Sequence, residues 1–321
     1  MIINDIAQAV TALTCGKLCA IPTETVYGLA ANALDESAVA RVFRAKDRPA
    51  DHPLIVHVAS TQDLTEWITE LPQWAIDLTA KVWPGPLTIV GPRTTLASDL
   101  ITGGQDTVAV RVPSHPIAQE LLLNLRQQGV KGLVAPSANR FGQVSPTNAA
   151  HVLADLGDYL SANDDLILDG GDCQVGVEST ILLATGEQPV ILRPGAITAT
   201  DIEQITGVRV SSEVKDAPRV SGALDSHYSP VAQVVLVESV AQLTKVSALE
   251  SAPGLLALAH VQTPKGFTRL GCPVTVDDFA HELYACLRAG DDLKLEKIYV
   301  VPPTGDGIAQ AINDRLKRAA F

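Results

Sequence analysis

LCAIPTETVYGLA, residues 18–30, sets an apolar run directly before a loop of two threonines, a glutamate and a tyrosine between Pro22 and Gly28. The run Leu18-Cys19-Ala20-Ile21 reads as a buried strand. A loop leaving a parallel strand is where α/β proteins place ligands. Thr and Glu also satisfy stray backbone groups in caps and turns, so on this stretch alone a capped turn competes evenly with a ligand wall.

Outward from it, strand-like and helix-like segments alternate, the pattern of an α/β fold. Asp35 caps a helix through about Lys46 with Ala38, Val39, Val42 and Phe43 on its apolar face. HPLIVHVAS (52–60) is a strand, and Ser60 or Thr61 starts a helical stretch towards Val82. PLTIVGPR (86–93) and DTVAVRVPS (106–114) are strands, and 116–128 is an amphipathic helix closed by Gly129. GLVAPSAN (132–139) is a buried strand running into a polar loop, with Thr147 capping the helix beyond. LILDGG, ESTILLAT and PVILRPG form a second group of strands, followed by a short helix that Gly207 ends.

From Ser211 to Pro230 neither period holds, so these residues read as a linker or a functional lid. AQVVLVES, GLLALAH and KIYVVPP then read as strands of a second, smaller α/β domain, separated by helices such as 277–289. The expected division is 1–210, a linker or lid over 211–230, and 231–321.

Hydrophobic residues make up 46% and charged residues 19%, an ordinary globular balance. Residues 1–211 hold 13 Lys and Arg against 23 Asp and Glu, so most of the net charge of −12 lies there. That disfavours a broad grip on nucleic acid and makes the few cations there local and placed. The 5 cysteines show neither CxxC nor Cys/His ligand spacing, which suggests reduced thiols in a cytoplasm. The N-terminus lacks the basic and apolar regions of a signal peptide, and no apolar run approaches the ~18 residues a membrane span needs. A cytoplasmic protein without membrane contact is expected.

No P-loop signature occurs, and Gly305-Asp306-Gly307 lacks the third glycine of a dinucleotide fingerprint. The chemistry lies at strand ends instead. Lys46-Asp47-Arg48-Pro49 closes a helix before a strand, where its cations serve as dipole partners or as a phosphate clamp. His52 and His57 flank that next strand, where a lone histidine is more often a satisfied core group than a ligand. Arg111 sits in an otherwise apolar strand and requires an anion, from a structural carboxylate or from a ligand. Ser137-Ala138-Asn139, Ser179-Thr180 and Arg193 stand at three more strand ends. Together they point to a site for a small anionic ligand and a polyphosphate.

In this order PTETVYGLA, KDRP with HPLIVHV, PSAN, GVESTI and LRPGAI resemble the YrdC-like domain of threonylcarbamoyl-AMP synthases. SHYSP at 226–230, followed by an α/β domain, resembles the long two-domain form of that family. The resemblance implies a twisted open YrdC-like sheet with helices, followed by a smaller Rossmann-like α/β domain. It implies a nucleotidyltransferase that makes threonylcarbamoyl-AMP and pyrophosphate from L-threonine, bicarbonate or CO2, and ATP. The product would pass to a tRNA threonylcarbamoyl transferase complex that modifies adenosine beside the anticodon. By motif, Thr25, His57, Arg111 and Ser179 would hold threonine. Arg48, His52, Thr107, Ser137, Arg193 and Tyr228 would hold ATP, with Lys46 and Asn139 also in the nucleotide site. Mg²⁺ is expected with ATP, on ligands the sequence does not name, and no tightly bound organic cofactor and no catalytic residue beyond the binding set is implied. Two positions depart from the pattern: His52 stands where asparagine is expected, and Ser221 where proline is. The rival readings are a non-catalytic RNA-binding module of the same fold, a protein with a degenerate site, and a carbamoyl-transferring domain with another acceptor.

Overall fold

Short apolar runs become strands throughout a computed structural model that describes residues 1–211, 217–222, 227–245 and 253–321. The first ten strands are β1 (Ile2–Ile3), β2 (Cys19–Ile21), β3 (Gly28–Asn32), β4 (Ile55–His57), β5 (Leu87–Pro92), β6 (Thr107–Arg111), β7 (Leu133–Val134), β8 (Leu166–Leu168), β9 (Thr180–Leu183) and β10 (Val190–Arg193). They form one mixed sheet in the order β1-β8-β2-β3-β7-β4-β6-β5-β9-β10. One face packs against the helices Glu36–Lys46, Gln73–Val82 and Ala149–Ala162. The other is covered in part by Ile6–Thr14 and Pro116–Gln127. Four strands, β11 (Gln233–Leu236), β12 (Gly254–Leu256), β13 (Thr268–Gly271) and β14 (Lys297–Val300), form a second sheet in the order β11-β14-β12-β13. All its pairings are parallel, as a βα alternation requires, and the helices Val276–Asp292 and Ile308–Ala319 cover it. No described helix is long and apolar enough to cross a membrane.

The helix Glu36–Lys46 forms as its sequence indicates. The Asp35 carboxylate accepts from Ala38 N at 3.0 Å, and Asp47 closes the helix in the left-handed region at φ 55. That turn delivers Lys46 and Arg48 to the sheet. The structure adds to these expectations and corrects two of them, the helix after Thr61 and the cap at Thr147. Residues 22–27 leave β2, which runs parallel to β8 as expected, and return through antiparallel β3, with Ile21 opposite Gly28. GLAAN is a strand despite its weak β-formers, since it is buried between β2 and β7. The helical stretch from Thr61 towards Val82 is broken: Leu64–Trp67 ends at Ile68, which is extended and bridged to Arg93, and Pro72 precedes a new helix at Gln73. The cap before Ala149 is Asn148, not Thr147, with its side chain accepting from His151 N. Of the 211–230 segment, residues 212–216 and 223–226 lie outside the described residues.

Candidate active site

Register builds the site. β4 and β6 lie parallel with His57 opposite Arg111, and antiparallel β5 sets Thr88 on the other side of Arg111. β5 also pairs with β9, bringing Ser179 to the same end of the sheet. Residues 22–27 roof this end. Thr23 Oγ1 accepts from the amides of Thr25 and Val26 at 3.2 Å and donates to Val26 O at 2.6 Å. The Tyr27 hydroxyl accepts from Gly170 N and donates to Gly171 O. Thr23 and Tyr27 therefore fold the loop, and Glu24 and Thr25 face the site: the turn role and the ligand role fall to different residues of one motif.

Arg111 Nη1 donates to Thr25 Oγ1 at 2.8 Å, and Nη2 stands 2.7 Å from Glu24 Oε1. The N–H direction misses that oxygen, so the pair is ionic without a completed hydrogen bond, and Arg111 Nε has no partner. Of the two possible anions for Arg111, a structural carboxylate is present. His57 Nδ1 lies 3.3 Å from Ile55 O, which only accepts, so the ring proton is on Nδ1 and Nε2 is an acceptor. Burial and the Arg111 charge push this imidazole down to about 3, so it is neutral.

Ser179 Oγ lies 2.8 Å from Thr88 Oγ1 and accepts from Arg193 Nη2 at 3.1 Å. Arg193 Nε and Nη2 also donate to Ser179 O, and Nη1 donates to Ser221 O. Only glycine at 195 permits this contact, since a Cβ there would stand 2.2 Å from Thr180 N. Arg48 Nη2 donates to Pro53 O and Ser221 Oγ, with its guanidinium 5.5 Å over the Phe141 ring. Burial lowers Arg48 to about 10. Lys46 Nζ donates to the carbonyls of Ser137 and Asn139, and burial, then Arg48, holds it well below the ordinary lysine value.

The partners separate two kinds of cation. Arg41, Arg126, Arg288 and Arg315 are paired with carboxylates. Among the described residues no carboxylate lies within 4.0 Å of Lys46, Arg48 or Arg193, whose partners are neutral oxygens and amides' carbonyls. One end of the site is thus a charge-balanced Arg111–Glu24 pocket, and the other gathers cations without a carboxylate in contact, with Glu178, itself paired to Arg315, also lining the cavity.

Thr25, His57, Arg111 and Ser179 line one cavity with Arg48, Ser137, Arg193 and Tyr228. Lys46 and Asn139 stand behind Ser137 without lining it. Thr107 lines a neighbouring small cavity divided from the first by Ser221, and His52 packs edge-on against Phe141 at 5.1 Å. The cavity at the site measures about 50 Å³, room for waters only, and Ser221, Gly222, His227 and Tyr228 are among the residues that line it. Gly222, at φ 77, lies so close to Tyr228 that a Cβ would meet the phenol oxygen at 2.2 Å. Tyr228 is itself left-handed at φ 63, stacks on Tyr284 at 5.7 Å, and is buried with its hydroxyl unpaired.

Sequence reasoning missed several residues here. Thr88 is the one hydroxyl in PLTIVGPR, a signal of the same kind as Arg111 in its strand. Glu178, between Val177 and Ser179, accepts from Ser145, Tyr284 and Arg315. Arg315, from the last helix, also donates to Pro194 O, and nothing local in its helix marks it.

Residues 11–195 match the family model described as "Telomere recombination", that of the Sua5, YciO and YrdC proteins, and this sets the class to which the sheet and its strand-end site belong. Residues 197–321 match the model described as "Threonylcarbamoyl-AMP synthase, C-terminal domain". The chain belongs to the threonylcarbamoyl-AMP synthase family. It is 39% identical to the threonylcarbamoyl-AMP synthase of Pyrococcus abyssi over 95% of this chain and 91% of that one. It is 36% identical to that of Bacillus subtilis over 99% and 94%. The crystal structure of P. abyssi Sua5 complexed with L-threonine superposes with a TM-score of 0.87 at 37% identity, covering 100% of this chain and 97% of that one.

Proposed function

We propose that this chain is an enzyme that condenses L-threonine, bicarbonate or CO2, and ATP into threonylcarbamoyl-AMP with release of pyrophosphate. The observation that carries the reading is the two-ended charge of the site. The balanced Arg111–Glu24 end suits a zwitterionic amino acid, and Lys46, Arg48 and Arg193, with no carboxylate in contact, suit a triphosphate. A non-catalytic RNA-binding module has no need of such a division, and the named relatives do not favour it.

The chemistry needs no nucleophilic side chain. The threonine amine nitrogen bonds to the carbon of CO2 and loses a proton, giving a carbamate. A carbamate oxygen then attacks the α-phosphorus, and the bond to the β-phosphate oxygen breaks with pyrophosphate leaving. Positioning and charge neutralisation supply the rate. Thr25, His57, Arg111 and Ser179 hold threonine. Arg48, Ser137, Arg193 and Tyr228 hold ATP with Lys46 and Asn139 behind them, and His52 and Thr107 join when residues 217–222 swing out. The cavity's size supports a linker that opens to admit ligands and closes to keep water from the mixed anhydride.

Mg²⁺ arrives on the triphosphate. The donor set here does not fit a protein-held ion, since no group of three His, Cys, Asp or Glu among the described residues could hold a metal, and Glu178 already accepts from Ser145, Tyr284 and Arg315. The domains divide at 1–210, 211–230 and 231–321, the enzyme works in the cytoplasm, and its product passes to the transferase that modifies tRNA. Incubation with ATP, Mg²⁺, bicarbonate and each common amino acid, with pyrophosphate measured, tests the reading. Release that depends on both threonine and bicarbonate is expected, and release indifferent to either overturns it.

A further inference from the structure

Thr88 lies outside every motif discussed above, yet it is fully buried and touches the site through one bond. That bond, Thr88 Oγ1 to Ser179 Oγ at 2.8 Å, is between two hydroxyls, so the coordinates alone leave its direction open. The surroundings decide it. A hydroxyl has one proton and two lone pairs. Ser179 Oγ already accepts from Arg193 Nη2. If Ser179 also donated to Thr88, the Thr88 proton would need another acceptor. Among the described residues Thr88 Oγ1 has none, and a buried donor without an acceptor is costly. Thr88 therefore donates. Arg193 and Thr88 then use both lone pairs of Ser179, and its proton is left to point at the cavity.

Across the pocket the acceptor is His57. Its Nε2 is an acceptor, because Nδ1 carries the ring proton. Thr23 Oγ1 gives its proton to Val26 O at 2.6 Å and accepts from the amides of Thr25 and Val26, so the 2.9 Å contact between the two threonine hydroxyls does not commit the Thr25 proton. Thr25 Oγ1 accepts from Arg111 and keeps both a lone pair and a proton for a ligand.

We infer that Thr88 is a positioning residue which makes Ser179 an obligate donor, so that the pocket has a donor side (Ser179, beside Arg111) facing an acceptor side (His57 Nε2, with Thr25 free to accept as well). An α-amino acid then binds in one orientation: its carboxylate lies on the donor side, and its amine and side-chain hydroxyl donate to the acceptor side. This rests on the function proposed above. Thr88 acts only through Ser179 and touches no substrate.

The test is titration of the full-length protein with L-threonine, alongside pyrophosphate release, for wild type, Thr88→Val, Thr88→Ser, Ser179→Ala and the Thr88→Val/Ser179→Ala double variant. Thr88→Val keeps the volume and removes the proton, so threonine affinity is expected to fall about tenfold with the KM for ATP within twofold of wild type. Thr88→Ser, which keeps the hydroxyl, is expected to restore threonine affinity to within about threefold. In the Ser179→Ala background Thr88→Val is expected to add nothing. Wild-type threonine affinity in Thr88→Val, or losses that multiply in the double variant, overturns the inference. If Thr88→Val is too unstable to titrate, Thr88→Ser decides, and a tenfold loss there overturns it. Failure of the functional reading looks different, with wild type releasing no pyrophosphate on adding threonine whatever residue 88 is.

Discussion

Replacing Arg315 by methionine tests how far the second sheet supports the site. Arg315 is fully buried, donates from Nε to Glu178 Oε2 at 2.9 Å and from Nη2 to Pro194 O at 2.9 Å, and lies 5.4 Å over the Tyr228 ring. It therefore grips the residues next to Ser179 and Arg193. Burial pushes the Glu178 carboxyl up, but Arg315, Arg193 and the Ser145 hydrogen bond hold it at about 2, against an ordinary 4.5. A carboxyl depressed by that much contributes roughly 3 kcal/mol, fully present above pH 4.5 and lost as pH falls towards 2. In Arg315→Met the largest of these offsets is lost, so Glu178 shifts upward and its charge is left buried without its main partner. The variant should lose about 3 kcal/mol at pH 7 and recover relative to wild type on acidification, since its Glu178 no longer has to stay charged. Urea denaturation at a series of pH values reads both. A second variant, Arg315→Met/Glu178→Gln, removes the stranded charge and should regain most of the stability at pH 7. A stability gap between wild type and Arg315→Met that does not narrow between pH 7 and pH 3, or a double variant no more stable than the single, would refute the coupling.

Three further outcomes follow from the geometry. Arg111→Ala leaves Glu24 buried and unpaired, so it should destabilise the fold by about 3–5 kcal/mol, and Arg111→Ala/Glu24→Gln should recover much of that while still binding threonine at least tenfold more weakly in calorimetric titration. Tyr228→Ala should fold yet bind ATP more weakly and yield less adenylate, and tryptic cleavage at the exposed Arg219 should slow when ATP and threonine are both present; unchanged activity with ligand-independent cleavage would make the segment a tether. Valine should be rejected strongly in pyrophosphate release because it leaves an acceptor unmatched, whereas serine, lacking only a methyl worth on the order of 1–3 kcal/mol, should be rejected in part.

What the chain announces about itself is what local pattern controls. The cap at Asp35, the amphipathic helix ending at Lys46 and the polar residues at the ends of β4, β6, β7, β9 and β10 depend on neighbours a few positions away, and they stand where the pattern puts them. GLAAN was illegible because burial, not propensity, makes it a strand. Pro72 was legible as a break, but the apolar period on both sides of it masked the signal. Thr88 and Arg315 meet their partners 91 and 137 residues away, so only the completed register assigns them a role. Glu24 was quoted within its motif and left without a task, since the Arg111 it faces lies across the sheet.

Unpaired polar atoms give the last step. Ten buried side-chain nitrogen and oxygen atoms among the described residues lack a hydrogen bond, and seven of them belong to Glu24, Arg48, Arg111, Asn139, His227 and Tyr228. Glu24 Oε1 and Arg111 Nη2 still share their ion pair, but each of the others costs about 1–3 kcal/mol, and a fold selected for stability alone would not gather them at one end of a sheet. They come from separate places in the chain: a hairpin loop, a helix end, a strand, the loop after β7 and the linker. Tyr228 shows what holds them there, since its ring is fixed by Tyr284 and Arg315 of the second sheet's helices while its hydroxyl goes unmatched. The packing that keeps these atoms in place is apolar and ionic; Arg48, Arg111, His227 and Tyr228 line the cavity, while Asn139 stands behind it. A ligand with phosphate and amino-acid groups then gains from atoms already desolvated and already oriented, which is how a site without a nucleophile can still lower a barrier.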